Sequence, residues 1–116
     1  MVTRRATAGT GGLPGWLVQR ATAVLILATG AAVAIRWIAH PPASHADLQA
    51  WLAPAWVRIT VVLLFAGVVL HAYIGVRDVL MDYVKPRGLR LAALFLAAVA
   101  LAGEFIWVVD LMARVP

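Results

Sequence analysis

His71 is the one strongly polar residue in an otherwise uncharged stretch running from Ile59 to Val76. A charged side chain at mid-depth in a bilayer costs about 2.5–3.5 kcal/mol on insertion scales, so an ionisable residue there marks a functional site. Positions three and four apart share a helix face. Thr60, Leu64, Gly67, His71, Gly75, Asp78 and Asp82 form such a stripe, with a glycine one turn to either side of the histidine. Imidazole is a good ligand for iron, and the flanking glycines remove side chains where a flat macrocycle would lie against the helix. Gly67-x-x-x-His71-x-x-x-Gly75 therefore reads as a haem-facing surface. The same spacing also fits close helix packing, with His71 hydrogen-bonding across the contact as polar residues do in membranes. The residues alone leave both readings open.

A second cluster, Asp82, Tyr83 and Lys85, closes the same helical pattern before Pro86 stops it. At 1.5 Å rise per residue, Tyr83 lies roughly 18 Å along the axis from His71, too far to share one small ligand. A tyrosine hydroxyl backed by a carboxylate can donate to a carbonyl or quinone oxygen and pass on a proton from water. It also fits an aromatic belt at the membrane boundary. Arg20 carries a planar fork suited to a carboxylate on a bound cofactor, or it snorkels to headgroups. Glu104 interrupts the last apolar run and has no assigned role. His40 and His45 are a pair without a third metal ligand. The absence of cysteine removes disulfides, thiolate catalysis and cysteine-bound clusters or zinc, so any cofactor is held by nitrogen or oxygen.

The elements that must position these residues follow from composition. Of 116 residues, 64% are apolar and 13% charged, against about 45–50% and about 25% in ordinary soluble domains. A crossing needs about 20 apolar residues, which allows three spans and leaves no room for an extramembrane domain. The expectation is an all-α membrane protein: a flexible arm over residues 1–14, then a membrane domain over 15–116 with spans at about 16–38, 57–84 and 89–111. The stretch from Ala39 to Trp56, rich in proline and polar residues, is the first loop, with a short interfacial helix around Leu48 to Leu52. Lys85, Pro86, Arg87, Gly88 and Arg90 form a basic second connection. Trp16, Trp37, Trp56 and Trp107 fall near the boundaries as interface anchors.

Basic residues accumulate on the cytoplasmic flanks of spans. Arg4, Arg5, Arg20, Arg77, Lys85, Arg87 and Arg90 lie on one side, and only Arg36, Arg58 and Arg114 on the other. The N terminus is therefore expected in the cytoplasm and the C terminus in the periplasm. The net charge of +5 is an orientation signal, and nucleic-acid binding is not expected. Arg4 and Arg5 followed by an apolar run and Ala43-Ser44-His45-Ala46 superficially resemble a signal peptide with its cleavage site. The glycine-rich gap and the charged edges Arg20 and Arg36 fit a retained span better.

The run His71-Ala72-Tyr73-Ile74-Gly75-Val76-Arg77-Asp78-Val79-Leu80-Met81-Asp82-Tyr83-Val84-Lys85-Pro86 resembles the signature of the small hydrophobic anchor subunits of succinate dehydrogenase, respiratory complex II. Gln19-Arg20-Ala21-Thr22-Ala23 is similar to the element that opens the first helix of that family. Arg77 and Asp78 depart from the pattern, standing where relatives carry apolar or uncharged polar residues. The resemblance implies that His71 is one of two axial ligands of haem b, the other coming from a companion anchor subunit. It further implies that Gly67 and Gly75 pack on the haem, Arg20 lies near its propionates, and Tyr83 with Asp82 binds ubiquinone. The implied partners are that companion subunit, an iron–sulfur subunit and a flavoprotein, in the inner membrane of a bacterium. The chain is then non-catalytic alone and takes part in succinate oxidation coupled to quinone reduction. The anchor of a quinol:fumarate reductase, a small haem-free transporter titrating Glu104, and a structural assembly subunit are the alternatives.

Overall fold

The computed structural model describes residues 12–116, which form four helices: α1 (Gly12–Ala39), α2 (His45–Leu52), α3 (Ala55–Tyr83) and α4 (Arg87–Ala113). Of the expected arm, residues 12–14 belong to α1 and the rest lies outside the described residues. Three of the helices, at Pro14–Ala39, Ala55–Tyr83 and Arg87–Ala113, are long and apolar enough to cross a membrane. The protein is an all-helical, multi-pass membrane protein.

Proline sets most of the boundaries. Pro14 sits in the first turn of α1, where its missing N–H costs nothing, and α1 ends at Ala39, just before His40-Pro41-Pro42. Pro54 and Pro86 are the N-caps of α3 and α4, both in extended backbone with ψ of 129° and 122°. Val84 is extended too, which leaves only Val84, Lys85 and Pro86 between two antiparallel helices. Arg87, Gly88 and Arg90 are therefore the first turn of α4 and not part of a loop. The short helix of the first loop is longer than its apolar residues suggest. It starts at His45 because Ser44 caps it, its hydroxyl oxygen accepting from the Asp47 N–H at 3.1 Å and its O–H donating to Asp47 Oδ2 at 2.7 Å.

α3 is the central helix, packed against α1 and α4 and touching α2. At 29 residues it is about 43 Å long, more than the about 30 Å hydrocarbon core of a bilayer. The surplus lies in the polar end from Arg77 to Tyr83. Arg58 Nη1 donates to the Val115 carbonyl at 3.0 Å and ties the start of α3 to the end of the chain. Buried apolar side chains are few: Trp51, Val57, Ile74 and Val108. Large apolar side chains such as Leu27 and Ile38, 73% and 79% exposed, face outward. Water does not tolerate such a surface and lipid or partner helices do. Hydroxyls inside the spans are satisfied locally, Thr22, Thr29 and Thr60 donating to the carbonyls of Val18, Leu25 and Trp56 at 2.7, 2.6 and 2.7 Å.

The two glycines of the His71 stripe differ in surroundings. Gly67 is buried against α1, where an added Cβ would lie 3.2 Å from Ile26 Cγ1 and 3.3 Å from Leu25 Cδ2. At Gly75 nothing lies within 4 Å of that position. Within this chain Gly67 is thus a helix-contact glycine, packed on Leu25 and Ile26 of α1. Gly67→Val is expected to destabilise the α1–α3 contact by about 1–3 kcal/mol through overpacking. Gly75→Ala should leave stability within about 0.5 kcal/mol. Unfolding of the two variants in detergent micelles checks this; equal destabilisation would contradict it.

Candidate functional site

His71 lies in α3 about 24 Å along the axis from Ala55, well inside a hydrocarbon core. It is half-buried and faces the opening turns of α1. Its Nδ1 is 3.2 Å from the Gln19 carbonyl and 3.1 Å from Thr22 Oγ1. A carbonyl only accepts, and the Thr22 hydroxyl already donates to the Val18 carbonyl at 2.7 Å. Both contacts are therefore satisfied together when Nδ1 carries the proton and donates. That tautomer leaves the Nε2 lone pair available, and Nε2 makes no hydrogen bond among the described residues. An imidazole fixed through one nitrogen with the other free is the arrangement of a metal-ligating histidine with its outer-shell partner.

This finding joins two segments 49 residues apart, and Thr22 has a role that residue types did not reveal. The signal is present in Gln19-Arg20-Ala21-Thr22-Ala23, whose threonine is as chemically able as its arginine. Thr22 is the one buried polar residue among those described, 5% exposed. Arg20, on the same turn, is exposed, and its guanidinium stacks 5.3 Å from the Trp16 ring. It has no carboxylate partner among the described residues.

Asp82 and Tyr83 end α3, and Tyr83 is 80% exposed. Neither side chain is hydrogen-bonded among the described residues; Lys85 Nζ donates to the Asp82 main-chain carbonyl at 3.1 Å. The structure brings His71 and the Arg20 turn together and leaves Tyr83 and Asp82 separate, at the helix end. Arg77, the departure from the resemblance, pairs with Asp78 at 3.6 Å and reaches across to α1, its Nη1 lying 3.8 Å from the Cβ position of Gly15. Glu104 is exposed on α4 without an ion pair among the described residues, and His40 and His45 are exposed around the start of α2. No group of three or more His, Cys, Asp or Glu side chains that could hold a metal occurs among the described residues.

His71 is the one side chain of the stripe whose ring nitrogen is fixed by a neighbouring helix among the described residues. In comparison with known proteins, the family described as succinate dehydrogenase/fumarate reductase transmembrane subunit matches residues 10–105. The chain belongs to this transmembrane-subunit family. It is also 30% identical over 101 residues to the succinate dehydrogenase hydrophobic membrane anchor subunit of Coxiella burnetii (strain RSA 493 / Nine Mile phase I), covering 87% of this chain and 88% of that protein. As a succinate dehydrogenase/fumarate reductase transmembrane subunit, the chain serves as a membrane anchor, and its three apolar helices are the anchor itself.

Proposed function

We propose that this anchor contributes one axial ligand, His71, to a haem b shared with a companion membrane subunit, and supplies Tyr83 and Asp82 to a ubiquinone-reduction site. The observation that carries this is the tether of His71 Nδ1 to Gln19 and Thr22, which leaves Nε2 free for iron. Gly75, open on the same stripe, leaves room for a flat ligand. Arg20 has no carboxylate partner among the described residues and can bond a propionate through its planar fork. Bound through His71, the haem would supply one-electron storage and a link between subunits.

The remaining steps belong to the chain's own residues. Tyr83 donates its hydroxyl proton to a quinone carbonyl oxygen, and Asp82 beside it relays the replacement proton from water. Electrons reach this end from a flavoprotein and an iron–sulfur subunit docked on the cytoplasmic side; the excess of Lys and Arg supports the N terminus and the α3–α4 connection lying on that side. The C terminus is then periplasmic, in the inner membrane of a bacterium. The chain performs no reaction alone.

The tether is directly testable. Thr22→Val keeps the shape and removes one acceptor of the His71 Nδ1–H. Outer-shell changes of this kind lower metal affinity by about 10–100-fold. The expected result is haem loss on dilution at least about tenfold faster and a shifted haem midpoint potential, with helix content unchanged. Identical haem retention and potential in the variant would remove Thr22 from the site.

A further inference from the structure

At the end of α1 remote from Tyr83, Arg36 is held in an aromatic clamp. Its guanidinium carbon lies 5.0 Å from the ring centroids of both Trp51 and Trp56, and Nη2 donates to the Trp51 carbonyl at 3.0 Å. Trp37 packs edge-on against Trp51 at 5.7 Å. Trp51 is 6% exposed, and among the described residues its buried indole N–H has no acceptor, nor has the buried Arg36 Nε. No carboxylate lies within 4.0 Å of Arg36 among the described residues. The clamp thus holds a fixed positive charge, lacking a counter-anion, at the edge of a membrane span.

This charge borders a cleft of about 420 Å³ lined by Arg36, His40, Pro41, Asp47, Ala50 and Trp51, among others. Unlike the apolar grooves between the spans, its walls are mostly polar. Asp47 lines the same cleft with one carboxylate oxygen engaged by Ser44 and the other unbonded. Opposite charges in one cleft, kept apart and located where a span meets headgroups, match a ligand that itself carries separated opposite charges.

We propose that this cleft binds the headgroup of a zwitterionic phospholipid with a primary ammonium. The phosphodiester lies on Arg36 and His40, and the ammonium donates to Asp47. A trimethylated ammonium has no N–H to donate, so a phosphatidylcholine should bind less well than a phosphatidylethanolamine with the same acyl chains. Phosphatidylglycerol satisfies Arg36 and leaves Asp47 facing a neutral glycerol. The proposal is independent of the role of His71.

The test is native mass spectrometry of the full-length protein, purified with whatever subunits accompany it, delipidated and offered the three lipids at equal concentration. The expected result is one phosphatidylethanolamine retained per chain, with about tenfold preference over phosphatidylcholine. Asp47→Asn, which keeps the backbone cap of Ser44, should abolish that preference, and His40→Ala should weaken retention of both lipids. Arg36→Gln should lose lipid altogether; if it unfolds by circular dichroism, the other two variants decide. Equal retention of all three lipids, tighter phosphatidylglycerol, unchanged profiles in Asp47→Asn and His40→Ala, or displacement by millimolar inorganic phosphate would each overturn the proposal.

Discussion

Replacing His71 with alanine is expected to remove the low-spin haem spectrum from the purified complex while flavin and iron–sulfur signals persist. On the proposed reading, the change deletes a ligand to the iron. Loss of an outer-shell partner alone costs about 10–100-fold in metal affinity, so loss of the ligand should lower haem affinity by at least about 10²-fold. The fold should survive. Thr22 continues to donate to the Val18 carbonyl at 2.7 Å, and the α1–α3 contact around Gly67, Leu25 and Ile26 lies a full turn away. An unaltered optical spectrum in His71→Ala would remove His71 as a ligand, and its tether to α1 would then be a helix-packing hydrogen bond.

Tyr83→Phe should divide the two half-reactions. Tyr83 is 80% exposed and makes no hydrogen bond within the described chain, so removing its hydroxyl should change stability by less than about 0.5 kcal/mol. Loss of a proton donor costs about 10²–10⁴-fold where that proton moves in the transition state. Quinone reduction by the complex should fall by about 10²-fold, while succinate oxidation by a soluble artificial acceptor, which bypasses the membrane site, stays nearly intact. Equal loss of both activities would mean defective assembly, and loss of neither would return Tyr83 to the role of interfacial anchor.

Much of the architecture was legible because hydropathy is decided by solvent and needs no partner. Three long apolar helices were expected and three are present, and the prolines end or begin them where a missing N–H demands. The start of α2 was missed by three residues: the apolar residues begin at Leu48, but the Ser44 cap recruits the polar turn before them. The site was legible only in part. Periodicity shows that Gly67 and Gly75 share a face with His71, but not that α1 covers the first and nothing covers the second. Likewise, Trp51 could not be told from the other tryptophans, since its burial depends on α2 folding back over Arg36. The pairing of Thr22 with His71 required knowing that α1 and α3 pack in that register.

Tyr83 and Asp82 illustrate the opposite limit. Their chemistry is plain from residue type, yet within this chain they stand exposed at a helix end with no wall around them. His71 Nε2 likewise makes no hydrogen bond among the described residues. Under the proposed function this chain carries half of each site, and the complementary halves belong to other chains.

The most direct test of that division is affinity purification of the chain from its native membrane, followed by an optical spectrum and subunit analysis of what comes with it. The expected result is one low-spin haem per chain, together with a second membrane subunit, a flavoprotein and an iron–sulfur protein. A haem-free oligomer of this chain alone would contradict it.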